Sequence, residues 1–154
     1  MAKTFPFLKG FRTETGAKGG FDLLDSDQLK EVPNVPGVYI IETKDRFRFP
    51  YPRWSSRVIY IGMSRTSLKQ RLKKHQSHLS ILCDTKGEYG MKDNEPWVFS
   101  RYQYMYRHST VVYFYPCKGK QDAKNLEAEI IWRFYEKYRA LPVGNGAKSY
   151  SKPK

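Results

Sequence analysis

The chain has 154 residues, enough for one domain with a hydrophobic core and too few for two ordinary domains. Lys and Arg number 28 against 15 Asp and Glu, and the formal net charge of +13 favours a polyanionic partner. Nucleic acid is the leading candidate, ahead of anionic lipid or a purely solubilising charge. The two cysteines lack CxxC or Cys/His spacing, which argues against a zinc site and a disulfide framework.

Hydropathy along the chain argues against targeting and membrane segments. The N-terminal sequence has no apolar run of signal-peptide length, and no stretch of 18 apolar residues is present to span a membrane. We therefore expect an intracellular protein, cytoplasmic or nucleoid-associated. Aromatic residues make up 16% of the chain and many alternate with basic ones, a mixture suited to stacking on bases and neutralising phosphates.

Residues 1–34 are predicted to form an N-terminal arm that is partly flexible. Glycines interrupt its first 20 residues, which show little periodicity. A short helix or turn is expected between Asp22 and Val32, before two prolines break the chain. At the other end, residues 148–154 form a basic tail that we expect to be loose.

Two short runs rich in β-branched and aromatic residues, at 38–41 and 58–61, predict a pair of antiparallel strands. Their connection, residues 43–56, is a long hairpin loop that alternates basic and aromatic side chains. A loop of this length in a compact domain is usually functional or mobile. We expect it to bind nucleic acid through a basic and aromatic set: Lys44, Arg46, Arg48, Arg53 and Trp54.

Three further elements follow the second strand. Leucines near helical spacing predict a basic amphipathic helix, which Ser67 and Gln70 are spaced to cap. Residues 84–109 show no clear pattern and are interpreted as an insertion. A third strand at 110–116 and a long helix at 121–139 complete the order. The pattern predicts an α+β fold, with a small antiparallel or mixed three-stranded sheet flanked by helices.

The motif GVY at residues 37–39, followed by YIG at 60–62, resembles the signature of the GIY-YIG nuclease family, with valine replacing isoleucine. Order strengthens the resemblance, because an arginine and a histidine follow on the next helix, then a glutamate on a later helix and an asparagine in LPVGN. The resemblance covers residues 35–146 and predicts a catalytic domain at 35–147. It implies hydrolysis of DNA phosphodiester bonds with one divalent cation, Mg²⁺ or Mn²⁺.

Two glutamates compete for the metal position that this resemblance implies. Glu127 has apolar neighbours at helical spacing, which places its carboxylate on an otherwise apolar face or at the edge of that face. Glu129 instead has Arg133 four residues further on, a routine surface pair. We choose Glu127 as the ligand, because Mg²⁺ and Mn²⁺ favour hard oxygen ligands and usually keep several waters beside substrate phosphate.

The resemblance also implies catalytic roles for two tyrosines and an arginine. Tyr39 and Tyr60 would place their hydroxyls around the scissile phosphate, one assisting deprotonation of the attacking water and both orienting it. Since a free tyrosine has a pKa near ~10, a basic role requires nearby positive charge. Arg71 resembles the family's helix arginine, whose forked donors suit a phosphate that gains negative charge.

Three side chains have an alternative beside the functional interpretation. His75 lies one turn beyond Arg71 and is placed for proton transfer, or instead for a phosphate or packing contact. Asn145 would tie its turn to the site or hold a phosphate oxygen. Ser64 caps the next helix or touches phosphate, and Arg65 and Lys69 complete the expected nucleic-acid contacts.

Several functions are compatible with these features. Metal-dependent cleavage of DNA comes first, and a nucleic-acid-binding module without turnover is the alternative from a different class. A repair or recombination subunit that needs a protein partner and a restriction-type enzyme are further possibilities. A homodimer would permit double-strand cuts.

Overall fold

A four-stranded antiparallel sheet with helices on both faces forms the fold. The computed structural model describes residues 18–87 and 96–146, with side chains described for 20–87 and 101–146. In chain order the elements are β1 (Lys18–Asp22), α1 (Ser26–Lys30), β2 (Gly37–Thr43), β3 (Phe49–Pro50), β4 (Ser55–Ser56), β5 (Val58–Ser64), α2 (Leu68–Asp84), α3 (Pro96–His108), β6 (Thr110–Pro116) and α4 (Lys120–Tyr138). The sheet order is β1-β6-β2-β5, and β3 pairs with β4 in a separate hairpin.

Strand β2 lies at the centre of the sheet, and all of its residues are buried. Its side chains alternate between two cores, as strand geometry requires. Tyr39 and Ile41 enter the core shared with α2 and α3, whereas Val38 and Ile40 enter the core shared with α4. The strand is therefore covered on both faces, which fixes the position of its motif tyrosine.

The predicted α+β class is confirmed, but the sheet has four strands where three were expected. The additional strand, β1, comes from the part of the chain that was assigned to the N-terminal arm. It pairs with β6 through a bulge between Gly19 and Phe21, where Gly20 has a φ of +113°. Glycine adopts this conformation without a steric penalty, so residues that suggest flexibility instead allow the bulge.

The predicted amphipathic helix and long helix are both confirmed. The Ser67 hydroxyl accepts a hydrogen bond from the Gln70 amide at 3.1 Å, which caps α2. Helix α4 buries the predicted apolar stripe against the sheet: Ala123, Ile130, Ile131 and Phe134. Helix α3 occupies much of residues 84–109, where the sequence shows no clear pattern.

Parts of the sequence predictions lie outside the described residues, namely the arm at 1–17, residues 88–95 of the insertion, and the tail at 148–154. No helix in the described part of the chain combines the length and apolar character needed to cross a membrane.

Candidate active site

The antiparallel pairing of β2 with β5 brings the two motif tyrosines together. Tyr39 lies opposite Gly62 and Tyr60 lies opposite Ile41, so both rings project from the same face of the sheet, with centroids 5.9 Å apart. A Cβ atom on Gly62 would lie 2.5 Å from the Tyr39 hydroxyl and 2.6 Å from the Tyr60 ring. The glycine of the YIG motif therefore provides the space that the two tyrosines occupy.

Helix α2 places His75 beneath both tyrosines. Its Nε2 lies 2.6 Å from the Tyr39 hydroxyl, and its Nδ1 lies 2.9 Å from the hydroxyl of Tyr102 on α3. The three side chains form a buried chain of hydrogen bonds, with exposed fractions of 1% for Tyr39, 4% for His75 and 5% for Tyr102. Tyr60 is half-buried, and its ring centroid lies 5.8 Å from that of His75.

Burial and nearby positive charge keep His75 neutral. Desolvation, followed by the charges of Arg101 and Arg71, lowers the pKa of His75 to about 3. Desolvation and the neighbouring Tyr60 raise the pKa of Tyr39 well above its usual value, and the two arginines do not offset that rise. The resting site therefore contains a protonated Tyr39 bonded to a neutral imidazole.

Glu127 is a half-buried carboxylate within electrostatic range of α2. Desolvation raises the pKa of Glu127 to about 7, against the lowering effect of Arg71 and Arg65. None of the described residues hydrogen-bonds its carboxylate. Glu129, by contrast, lies 3.9 Å from Arg133 at i,i+4, which is the surface pair that the spacing predicted. Glu127 is therefore within electrostatic range of two arginines near the start of α2.

The donor set near Glu127 is sparse but fits a hard divalent cation. Within residues 18–87 and 96–146, no group of three His, Cys, Asp or Glu side chains is placed to hold a metal. Mg²⁺ is commonly bound through one or two carboxylates together with substrate phosphate and water. A carboxylate that no residue of the described segments hydrogen-bonds, within electrostatic range of Arg71 and Arg65, therefore suits a cation that is held jointly with a phosphate group.

Asn145 binds the backbone of the strand that carries Tyr60. Its Nδ2 donates to the Ile61 carbonyl at 2.8 Å, and its Oδ1 accepts from the Ile61 amide at 3.0 Å. The Gly144 amide also donates to the Ile59 carbonyl at 2.7 Å. Because β5 is an edge strand, this turn satisfies backbone groups that the sheet leaves unpaired. Of the two roles considered for Asn145, tying the turn to the site matches these contacts.

The segment from the end of β5 into α2 contains one buried serine and several basic side chains. Ser64 is 3% exposed, and its hydroxyl oxygen accepts from the amides of Thr66 and Ser67 at 3.3 and 2.9 Å. These bonds order the turn between β5 and α2, whereas the cap of α2 is Ser67, and the burial of Ser64 removes it from the expected nucleic-acid surface. Arg65 and Arg71 are exposed and Lys69 is half-buried.

The connection between β2 and β5 is an ordered structure that includes the β3–β4 hairpin; we call residues 43–56 the basic hairpin. Arg48 braces it, since Nε donates to the Ser55 hydroxyl at 2.9 Å and a terminal nitrogen donates to the Ser55 carbonyl at 2.6 Å. Tyr51 anchors it by packing on Phe134 and Tyr138 of α4. The Tyr51 hydroxyl also accepts from the Val143 amide at 3.1 Å.

The remaining expected binding residues of the basic hairpin point outward. Trp54 is 70% exposed and has a φ of +65°, and Arg46 is exposed with a φ of +68°. Arg53 is exposed, whereas Lys44 pairs with Asp22 at 3.0 Å. Bulky residues rarely adopt a positive φ, so the backbone at Trp54 is strained. In this conformation the Trp54 side chain is exposed to solvent.

Two site residues were missed by the sequence analysis, both on α3. The Arg101 guanidinium lies 3.8 Å from the Tyr60 ring centroid, and its Nε donates to the Gly144 carbonyl at 2.9 Å. The Tyr102 hydroxyl lies 2.9 Å from Nδ1 of His75, and burial raises the pKa of Tyr102 although the charge of Arg101 lowers it. The segment RYQYMYR is rich in Tyr and Arg, but composition alone does not show which rings reach the sheet.

The profile of the GIY-YIG catalytic domain family matches residues 35–139. The match begins just before β2 and ends just after α4. It therefore includes Tyr39, Tyr60, Arg71, His75 and Glu127. Asn145 lies beyond it. Neither the curated proteins nor the solved structures give a match to this chain.

Proposed function

Since the chain belongs to the GIY-YIG family of endonucleases, we propose that it is a metal-dependent endonuclease that hydrolyses phosphodiester bonds in DNA. The observation that carries this proposal is the convergence of Tyr39, Tyr60 and His75 on one face of the sheet. Arg71 is electrostatically coupled to this cluster and to Glu127. The site therefore combines oriented hydroxyls, a fixed positive charge and a carboxylate.

Glu127 is the residue proposed to hold the cation. When bound, Mg²⁺ or Mn²⁺ supplies positive charge that stabilises the negative charge developing on the reacting phosphate and its leaving oxygen. A carboxylate with a pKa of about 7 is partly protonated near neutral pH, and a nearby cation favours its ionised form. This property suits a ligand that becomes fully charged only in the loaded site.

Arg71 and the tyrosines supply the chain's own part of the chemistry. The exposed Arg71 guanidinium is proposed to donate to phosphoryl oxygens, where its charge is most useful in the transition state. Tyr39 is proposed to orient the water or phosphate, because the raised pKa of its hydroxyl makes a resting tyrosinate unfavourable. Tyr60 is proposed to assist deprotonation of the water, with the Arg101 guanidinium offsetting negative charge on its ring.

The proposed DNA-binding surface consists of the basic hairpin together with Arg65 and Lys69 near the start of α2. Exposed Arg46 and Arg53 can contact phosphates, and the displayed Trp54 ring can stack on a base. The Arg53 amide bonds the Tyr138 carbonyl, which fixes the hairpin at the end of α4. Glu127 lies eleven residues earlier on that helix, about 16 Å along its axis.

The proposal is tested by incubating the purified chain with supercoiled plasmid in Mg²⁺ or Mn²⁺, beside samples containing EDTA. Nicked or linear product that requires the added metal is expected. Linear product at early times would indicate paired active sites, as in a homodimer, whereas nicked circles would indicate independent cuts. Tight binding to the plasmid without cleavage would overturn the proposal in favour of a binding module or a nuclease that needs a protein partner.

A further inference from the structure

Helix α2 has a different neighbour on each side of its buried stripe, and one side borders the candidate active site. On the first side the Gln76 Nε2 donates to the Leu23 carbonyl at 3.0 Å, so this side faces the segment that leads into α1. On the second side His78 stacks on Tyr102 of α3, with ring centroids 4.9 Å apart. The Tyr102 hydroxyl also lies 2.9 Å from Nδ1 of His75. The side of α2 that carries His78 therefore lies next to the tyrosine and histidine cluster.

Arg71 and Lys74 lie on the same side of α2 as His78. A helix turns by about 100° per residue, so residues that are three or seven apart share a face. Arg71, Lys74 and His78 have these spacings, and both Arg71 and Lys74 are exposed. Lys73 is also exposed, but it lies about 160° around the helix from Arg71. Of the two adjacent lysines, Lys74 is the one that extends the charged face beginning at Arg71.

The two cations on this face are not neutralised by acidic neighbours. In the part of the chain that the structure describes, no acidic side chain forms an ion pair with Arg71 or Lys74. Lys44, by comparison, pairs with Asp22 at 3.0 Å. Asp84, the last residue of the described helix α2, is its one acidic residue. Arg71 and Lys74 are therefore available to an anion from outside the chain.

The spacing of the two cations fits the phosphate backbone of DNA. Exposed Lys and Arg side chains bind nucleic acid by neutralising phosphates and releasing counterions. Side chains three residues apart on a helix have Cβ atoms roughly 5–6 Å apart. Successive phosphates of one strand lie about 3.4 Å apart along the duplex axis. Arg71 and Lys74 can therefore contact two phosphates that are close together in the same DNA.

We propose that Lys74 extends the DNA-binding surface of the active site by contacting a phosphate beside the reacting one, which Arg71 contacts. The role of Arg71 in this proposal rests on the proposed nuclease function. Bound DNA then lies along the side of α2 that faces α3. A lysine that holds a non-reacting phosphate stabilises the substrate complex and the transition state equally. Lys74 therefore contributes to affinity, whereas Arg71 contributes to rate.

The test compares Lys74→Gln with Lys73→Gln in binding to a short DNA duplex, in EDTA so that cleavage does not interfere. Both variants lose one exposed charge from the same helix, at adjacent positions. The slope of log K against log salt should become shallower by about 0.9 in Lys74→Gln and stay unchanged in Lys73→Gln. Lys74→Arg keeps the charge and should retain the slope. An unchanged slope in Lys74→Gln, or an equal change in both Gln variants, would rule out the contact.

A second measurement locates the phosphate that Lys74 contacts. The cut in the duplex is mapped with the unmodified chain, and single phosphates around it are replaced by uncharged methylphosphonates. Replacing one phosphate next to the cut should weaken binding by the unmodified chain and by Lys73→Gln, but not by Lys74→Gln. Coupling of Lys74 to a phosphate far from the cut, or to none, would contradict the proposed path of the DNA.

Cleavage kinetics separate Lys74 from the catalytic residues. At saturating DNA the single-turnover rate of Lys74→Gln should equal that of the unmodified chain, and below the Kd the rate should fall in proportion to the lost affinity. A loss of rate at saturating DNA would contradict the proposal, because it would place Lys74 at the reacting phosphate. If the unmodified chain does not cleave DNA in Mg²⁺ or Mn²⁺, the proposed function fails, whereas the salt slope still decides whether Lys74 binds the DNA backbone.

Discussion

The buried tyrosine–histidine chain and the basic hairpin are built in opposite ways. In the first, the side chains are buried and bonded to one another, with Nε2 of His75 2.6 Å from the Tyr39 hydroxyl. In the second, the backbone is braced by Arg48 and Tyr51, whereas the Trp54 side chain is displayed to solvent. Side chains that are held in one position suit catalysis, whereas exposed side chains that can adjust suit binding to nucleic acid. Changes in the cluster should therefore alter rate, and changes in the hairpin should alter binding.

The largest effect is expected from Arg71→Gln. Arg71 is exposed, so the fold should tolerate the change, but the site loses the charge that acts on Tyr39, His75 and Glu127. The single-turnover rate at saturating DNA should fall by roughly 10²–10³-fold, the usual effect of removing one transition-state donor. Arg65→Gln is the control, and it should lower the rate much less. Equal losses in both variants would show that general basicity, not a specific contact, is responsible.

The burial of His75 should make stability fall with acidity. The pKa of His75 is 6.5 in an unfolded chain and about 3 in the fold, so between these values the unfolded chain binds the extra proton. This contribution is constant above pH 6.5 and is lost as the pH falls, by on the order of 1.4 kcal/mol per pH unit. Urea unfolding at pH 7, 6 and 5 should show a steeper loss for the unmodified chain than for His75→Gln. Parallel curves would mean that His75 protonates freely in the fold.

The basic hairpin should contribute to binding and its salt dependence. Replacing Arg46 and Arg53 with Gln removes two exposed charges but leaves the Arg48 brace intact. If both contact phosphate, the slope of log K against log salt should become shallower by about 1.8, or 0.9 per contact. The cleavage rate at saturating DNA should not change. The paired variant Lys30→Gln/Lys118→Gln removes two exposed charges elsewhere, and an equal change in slope there would refute a specific hairpin contact.

The smallest effect should come from the turn that holds the edge of β5. Asn145→Ala removes two hydrogen bonds to Ile61 and should lower the free energy of unfolding by about 1–3 kcal/mol. Asn145→Asp keeps the acceptor for the Ile61 amide and should lose less. Thermal or urea unfolding measures both. A loss of DNA affinity with unchanged stability would instead support a phosphate contact by Asn145.

The sequence alone predicts the elements in which the spacing of apolar residues matches the face that is buried in the fold. The β2 and β5 strands, the capped α2 and the apolar stripe of α4 all follow from alternation or helical spacing. Strand β1 was missed because its glycines indicate flexibility until a partner strand uses Gly20 in a bulge. A strand of this kind is specified by its pairing with β6, which no local pattern shows.

The candidate site was predictable only where motif order identified its residues. Helical spacing predicted different surroundings for Glu127 and Glu129. In the structure Glu127 is half-buried, and Glu129 lies 3.9 Å from Arg133 at i,i+4. Arg101 and Tyr102 were not found, because their contribution depends on how α3 packs against α2. Sequence also could not assign Ser64, for which a helix cap and a phosphate contact were considered, because its hydroxyl instead accepts from two amides of the turn before α2.

The most direct test of the account compares Glu127→Gln with Glu129→Gln in single-turnover cleavage of DNA in Mg²⁺, with Kd measured on the same substrate. Both changes remove one carboxylate from the same helix, two residues apart. Loss of several kcal/mol of transition-state stabilisation predicts a fall of about 10³-fold for Glu127→Gln with binding retained, and near-normal cleavage for Glu129→Gln. Normal cleavage by Glu127→Gln, or loss only in Glu129→Gln, would contradict the account.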